Sequence, residues 1–184
     1  MYSSYLIDYQ TPRENKGLTR DNVASLLADK GIGISTESLG CYERGVRDPS
    51  PGIVVEFAEI YQEPFLTQRY CKHNCAIGQA YSYEILDNID LNISNIALKL
   101  LEEHRESHEV LAEVLILITN KKSIKDFTDK ELEKLKKNVH ELLDTEHTIE
   151  IFKIALNRFI DMKEMIAEHN EKCRQRGYVK GGAI

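Results

Sequence analysis

The distribution of glycine and proline constrains the fold of this chain more than any other feature of its sequence. All four prolines and seven of the ten glycines precede Gln79, and the next glycine is Gly177. Because glycine and proline end helices or form turns, short helices are expected first and long helices afterwards. We predict an all-α fold with one domain over residues 1–78, a second over residues 79–176, and a flexible tail over residues 177–184.

The composition is that of a globular protein rather than a disordered or membrane-spanning one. Apolar residues make up 42% of the 184 residues and charged residues 29%. No run approaches the roughly 18 apolar residues that cross a membrane, and the first residues lack the basic start of a secretion signal. We therefore expect a cytoplasmic protein with no membrane partner. Four cysteines are too few for a disulfide framework and are expected to be reduced.

The second domain is predicted to be a bundle of three to four longer helices. One helix is predicted to close with the apolar residues Ile85, Leu86, Ile89, Leu91 and Ile93. A second helix covers about residues 94–119, and its segment 110–118 is apolar on almost every side. A solvent-exposed helix cannot keep such a segment, so either the chain's own helices or a second copy should surround it. Thr128 and Glu131 have the spacing of a capping box for the next helix. The last helix is predicted over about residues 148–173.

The stretch from Ser35 to Ser50 carries most of the functional information. Ser35 is a typical cap for a helix that begins at Thr36, and Gly45 is placed to end that helix in a left-handed conformation. Leu39 is predicted to face the domain core together with Tyr42, three residues later. The outward face is small, as a shallow groove requires, and consists of Thr36, Glu37, Gly40 and Cys41.

Three blocks between Arg13 and Ser50 resemble the helix-turn-helix domain of the phage-repressor (Cro/XRE) family. Residues 17–24 are similar to the entry of the second helix, residues 33–35 to the turn, and residues 39–49 to the recognition helix with its Tyr-Glu-Arg-Gly ending. The resemblance implies a compact bundle of five short helices. The chain has nine steps from residue 24 to residue 33 where the family usually has four. The second helix or the turn after it is therefore predicted to be longer.

The resemblance also implies a structural ion pair. In the family, an arginine of the first helix pairs with the glutamate at the end of the recognition helix. Those positions are Arg13 and Glu43 here. Such a pair would fix the recognition helix on the domain rather than take part in catalysis.

The resemblance further implies which side chains would contact double-stranded DNA. Hydroxyl groups can pair with several base edges in the major groove, and a glutamate can accept from cytosine N4. Arginines and a helix N-terminus can bind phosphates and set the register. The alternative for each residue is an ordinary solvated helix face. The predicted base contacts are Thr36, Glu37, Ser38 and Cys41, and the predicted phosphate contacts are Arg20, Ser35, Arg44 and Arg47.

We therefore predict a sequence-specific DNA-binding transcription regulator, a repressor that binds a palindromic operator as a homodimer joined by its C-terminal helices. The net charge of −6 argues against a general nucleic-acid coat protein, because phosphate neutralisation supplies nonspecific affinity. The alternative is a protein-interaction module, antitoxin-like or inhibitory, that has the helix-turn-helix fold without DNA binding. The acidic balance, Gly40 in mid-helix and the lengthened connection between the second and third helices favour this alternative.

The sequence offers little for metal or catalytic chemistry. Cys71 and Cys75 have the four-residue spacing of ligands on one helical face, but His73 would point elsewhere and no fourth ligand is near. We interpret the two cysteines as small buried side chains, with metal binding or redox sensing as the open alternative. No phosphate-binding glycine loop, His-Glu-x-x-His motif or nucleophile elbow occurs. We expect no catalytic residue, no metal and no cofactor.

Overall fold

The computed structural model describes residues 6–86 and 89–179, which form nine α-helices, one short 3-10 helix and no strand. The predicted all-α class is confirmed for these residues. They divide into two compact units, 6–86 and 89–179. Within the same residues, no helix is both long enough and apolar enough to cross a lipid bilayer.

The first unit has six helices in its described residues, where five are predicted. The helix expected to end near Gly78 is interrupted at Cys75, whose extended backbone ends one helix and begins the next. The helices are α1 (Gln10–Asn15), α2 (Arg20–Asp29), α3 (Thr36–Glu43), α4 (Pro51–Tyr61), α5 (Phe65–Asn74) and α6 (Ala76–Tyr81).

Helix α6 belongs to the first unit because it lies directly against α5. Gly78 of α6 is buried against the backbone of Cys71, and a Cβ at position 78 would overlap the carbonyl oxygen of Cys71. Only glycine permits this approach between the two helices. The predicted domain boundary after residue 78 therefore falls inside α6, whereas the observed units separate after α6.

The core of the first unit is organised around Phe57 of α4. Its ring is fully buried, stacks on Tyr61 at a centroid distance of 5.3 Å, and contacts Tyr9 at 5.6 Å. Leu27 of α2 and Leu39 of α3 are buried in the same cluster. Tyr9 immediately precedes α1. Together with the buried Ile7, it closes one side of the core.

The second unit contains three α-helices in its described residues, within the predicted number of three to four. Thr128 and Glu131 form the predicted capping box at the start of the second of these helices. The prediction of a helix that closes with Ile85 to Ile93 is wrong, because residues 82–86 and 89–92 are not helical. The prediction of a last helix over residues 148–173 is also wrong. The helix that starts after Thr128 runs through residue 148, and a new helix begins after Asp161, whose carboxylate accepts backbone N–H groups. The helices are α7 (Ile93–Ile118), α8 (Asp129–Leu156) and α9 (Met162–Gln175), with a 3-10 helix at Ile124–Asp126.

Helices α7 and α8 pair in antiparallel orientation along a seam that contains polar bonds. The amide of Asn138 donates to the carboxylate of Glu113 at 3.1 Å, and the hydroxyl of Thr145 donates to the backbone carbonyl of Glu103 at 3.0 Å. A small apolar cluster around Ile96 completes the seam at one end. Because α8 covers only one side of α7, this unit does not surround segment 110–118. Leu111, Leu115 and Ile116 are exposed there.

The structure describes only the first residues of the predicted flexible tail, 177–184. Gly177 has a φ of +72° and forms the turn that follows α9. Residues 180–184 lie outside the described residues.

Candidate nucleic-acid interface

Helix α3 begins and ends where the sequence predicts. The Ser35 hydroxyl accepts the backbone N–H of Ser38 at 3.1 Å, which caps the first turn. At the other end Gly45 has a φ of +67°, a conformation that glycine adopts without strain. The buried side chains of Leu39 and Tyr42 anchor the inner side of the helix in the core. The opposite side of α3 is thereby directed away from the core.

The connection from α2 to α3 consists of residues 30–35, because α2 ends at Asp29. Gly31 takes a left-handed φ of +80° in this connection. The start of α3 is tied to α2 by a second contact, because the Thr36 hydroxyl donates to the Asp21 carboxylate at 2.8 Å.

The end of α3 is fixed by a buried carboxylate between two arginines. Arg13 Nε lies 2.6 Å from Glu43 Oε1, and the Arg13 guanidinium also donates to the Leu18 carbonyl at 2.6 Å. The Glu43 side chain is only 3% exposed. Burial alone raises the pKa of the Glu43 carboxyl, but hydrogen bonds from Arg13 and Arg20 outweigh this effect and hold the pKa below its ordinary value. The pair expected from the sequence is thus part of a three-residue cluster.

Arg20 is the member of this cluster that sequence reasoning missed. Its guanidinium contacts Glu43 Oε2 through Nη2 at 2.7 Å and through Nε at 2.8 Å. Its side chain keeps 34% exposure. The phosphate contact of Arg20 stays a prediction: the residue is also a structural partner of Glu43, and its exposed part is what can reach a ligand.

The prediction for Gly40 is wrong. The residue is expected to face outward, but it is buried beneath two guanidinium groups. The position of a Cβ on Gly40 would lie 2.9 Å from Arg44 Nη1 and 3.6 Å from Arg20 Nη1. The lack of a side chain at Gly40 lets Arg44 and Arg20 converge on the outer surface of α3.

The other predicted contact residues lie on the outer side of α3 and at its two ends. Arg47 donates to the Tyr42 hydroxyl at 3.3 Å and its guanidinium lies 5.0 Å from the centre of that ring. Arg44 contacts the Cys41 sulfur at 3.8 Å. Ser35, Glu37, Arg44 and Arg47 are exposed, while Thr36, Ser38 and Cys41 are partly exposed.

The charges are distributed unevenly along α3. Glu37 and the neighbouring Asp21 place two carboxylates at its first turn. Arg44 and Arg47 follow its last turn, and the Arg20 guanidinium lies nearby over Gly40. Anions are therefore expected to approach the C-terminal end of α3 more favourably than its N-terminal end.

The cysteine motif does not form the site considered from the sequence. Helix α5 ends before Cys75, so Cys71 and Cys75 do not share a helical face. Cys71 is exposed rather than buried, and no disulfide joins any of the four cysteines, all of which the structure describes. Residues 6–86 and 89–179 contain no group of three or more histidine, cysteine or acidic side chains arranged to hold a metal ion.

Comparison with known proteins gave no match to a family model, a curated protein or a solved structure. The function of the site is consequently argued from its own residues. The arrangement can present a small helix surface with arginines at one end, held firmly by the Glu43 cluster.

Proposed function

We propose that the protein is a sequence-specific DNA-binding transcription regulator, a repressor, whose helices α2 and α3 form a helix-turn-helix. One observation carries the proposal. The inner side of α3 is anchored by Leu39 and Tyr42 while Arg44 and Arg47 stand exposed at its end. A rigid helix with a free outer side and adjacent cations is what insertion into a major groove requires. As a transcription regulator it would act in the cytoplasm.

The outer residues of α3 would divide between base and phosphate contacts. Glu37, Ser38 and Cys41 would face base edges, whereas Arg44 and Arg47 would bind phosphates on one side of the groove. Thr36 would act as a hydrogen-bond acceptor, since its hydroxyl already donates to Asp21. Ser35 would have to donate its hydroxyl proton to a phosphate instead of to Ser38. Arg20 would add only the exposed part of its guanidinium.

Repressors of this kind act as dimers, and two copies of α3 would enter half-sites ~34 Å apart on a palindromic operator. The second unit would join the two copies. Its support is the exposed apolar surface of α7 at Leu111, Leu115 and Ile116, which an isolated chain leaves in contact with water.

The test is selection of binding sites from a pool of randomised DNA duplexes by the full chain. The proposal predicts enrichment of one sequence with twofold symmetry, because two identical domains read the same half-site. Failure of the wild-type chain to enrich any sequence would contradict it. The variant Leu39→Ala, which removes a buried anchor of α3, serves as the control for enrichment caused by other surfaces.

The second candidate is a protein-interaction module with the same fold. It is favoured by Glu37 and Asp21, whose carboxylates lie where DNA phosphates would approach the first turn of α3. This candidate predicts no enriched DNA sequence. It also predicts that Glu37→Lys weakens binding to a basic protein partner, whereas a DNA-binding α3 would bind duplex DNA more strongly after this change.

A further inference from the structure

Helix α7 carries a regular row of exposed residues on the side opposite α8. The buried residues Ile96, Glu103 and Ser107 face α8. The row on the other side follows alternating steps of three and four residues, the spacing of a coiled-coil seam. We define it as the outer seam, and its residues are Leu98, Leu101, Arg105, His108, Ala112 and Leu115, all exposed.

The apolar ends of the outer seam have no cover in the described chain. Leu98 is 65% exposed, Leu101 67% and Leu115 63%. The seam extends for about 25 Å along α7, because an α-helix rises about 1.5 Å per residue. A helix that exposes leucines at this spacing over several turns is typically paired with another helix.

We propose that a second copy of this chain occupies the outer seam and that the two α7 helices pair in antiparallel orientation. The residues of the seam are arranged symmetrically about a point between Arg105 and His108. An antiparallel twofold pairing through this point brings leucines and an alanine together at both ends and polar residues together in the middle. The layers are Leu98 with Leu115, Leu101 with Ala112, and Arg105 with His108.

Charge determines the orientation. A parallel pairing in register would place Arg105 against Arg105 of the second copy, and like charges at a seam oppose association. The antiparallel pairing instead brings Arg105 close to Glu109 of the second copy, one residue beyond His108. Neither Arg105 nor Glu109 has an ion-pair partner in the described part of its own chain, and both are exposed. The twofold axis generates two such intermolecular pairs, so each of the four side chains gains an ion-pair partner.

Small and large side chains also fit this orientation. Ala112 leaves room for Leu101 of the second copy, so the helices can approach closely in that layer. Ile116, which is 75% exposed, would lie beside Leu98 of the second copy and extend the apolar contact at each end. The outer seam thus gives a role to Ala112, Leu115 and Ile116 within segment 110–118.

This inference specifies the dimer on which the proposed function relies, but it is tested without DNA. The mass of the full chain in solution is measured by sedimentation velocity. We expect a dimer for the wild type, and a monomer for Leu115→Glu with unchanged helix content by circular dichroism. Ile166→Glu is the matched control, because Ile166 is an exposed apolar residue of α9 outside the seam, and this variant should stay dimeric. A wild-type monomer at every concentration would overturn the inference.

The orientation is tested with charge reversal and with cysteine cross-links. Arg105→Glu and Glu109→Arg should each weaken the dimer, and the double variant should restore it. Chains with Leu98→Cys mixed with differently tagged chains carrying Leu115→Cys should form a disulfide between positions 98 and 115, located by peptide mass spectrometry. A disulfide formed between two copies of Leu98→Cys alone would show parallel pairing and contradict the proposal. A wild-type chain that is monomeric in solution but still selects one DNA sequence would reject the inference while leaving α3 as the DNA-binding helix.

Discussion

The Glu43 carboxylate at the end of α3 lies 2.6 Å from Arg13 Nε of α1, although the two residues are 30 positions apart in the chain. Both side chains are buried, and Arg20 of α2 binds the second carboxylate oxygen at 2.7 Å. The cluster therefore joins the first three helices. Since α3 is the proposed DNA-binding element, the stability of this cluster bears directly on function.

Glu43→Gln is expected to destabilise the first unit strongly. The substitution leaves the buried Arg13 guanidinium with only the half-exposed Glu14 carboxylate, 3.2 Å away, as a counter-charge, and loss of one partner from a buried pair costs about 3 kcal/mol. The free energy of unfolding in urea at neutral pH measures this loss. Glu37→Gln is the matched control, because Glu37 lies exposed on the same helix and its change should cost less than about 0.5 kcal/mol. Equal stability of the two variants would contradict a structural role for Glu43.

The contribution of Glu43 to the free energy of unfolding is also expected to depend on pH. Its pKa in the folded protein lies below the ordinary value of 4.5, so the unfolded chain binds the proton more readily. The stabilisation is therefore fully present above about pH 5 and is lost as the pH falls through the lowered pKa. The difference in unfolding free energy between wild type and Glu43→Gln should shrink over this acidic range. If the difference in unfolding free energy stays constant down to the pH of acid unfolding, the charge of the Glu43 carboxylate is not the source of the stabilisation.

These contacts show what the sequence could predict. The ends of α3 could be predicted from Ser35 and Gly45, because a helix cap and a left-handed glycine affect only residues next to them in the chain. The capping box of Thr128 and Glu131 could be predicted in the same way. The Arg13 and Glu43 pair came from a resemblance, not from a local pattern. The contact of Arg20 with Glu43 joins residues 23 positions apart, and no helical spacing indicates it.

Three other features were missed for definable physical reasons. Gly40 is buried by the far ends of two long side chains, which a helical face assignment does not consider. The break between α8 and α9 contains neither glycine nor proline, and its only signal is the cap formed by Asp161. Tyr9 enters the core from a segment without periodicity.

Tyr9→Phe is expected to leave the first unit as stable as the wild type or to stabilise it by about 1 kcal/mol. The Tyr9 hydroxyl is buried and has no hydrogen-bond partner among the described residues, so its removal relieves an unsatisfied polar group. Burial, with smaller contributions from Asp48 and Tyr70, raises the pKa of Tyr9 well above its ordinary value. Thermal and urea unfolding measure the effect.

Tyr9→Leu, which also removes the ring contact with Phe57, should instead cost about 2 kcal/mol. A clear loss of stability in Tyr9→Phe would indicate a hydrogen bond that the hydroxyl makes in solution.

Gly40→Ala is expected to separate stability from DNA binding. Alanine favours the helix by about 0.5–1 kcal/mol relative to glycine. The added Cβ would lie too close to Arg44 Nη1, so the guanidinium must move away from the surface of α3. Unfolding experiments should show a stable variant, and affinity for the selected DNA should fall. Gly52→Ala on α4, where a Cβ meets no atom within 4 Å, should not change DNA affinity. Unchanged affinity of Gly40→Ala would argue against a contact by Arg44.

The most direct measurement of the central claim is a titration of the selected DNA duplex by fluorescence anisotropy over a range of salt concentrations. Two double variants remove the same charge: Arg44→Ala with Arg47→Ala beside α3, and Lys122→Ala with Lys130→Ala at exposed positions of the second unit. The arginine variant is expected to bind more weakly, with a salt slope lower by about 2 per domain, because two phosphate contacts are lost. The lysine variant should match the wild type. Equal affinities and salt slopes for the two variants would contradict DNA binding through α3.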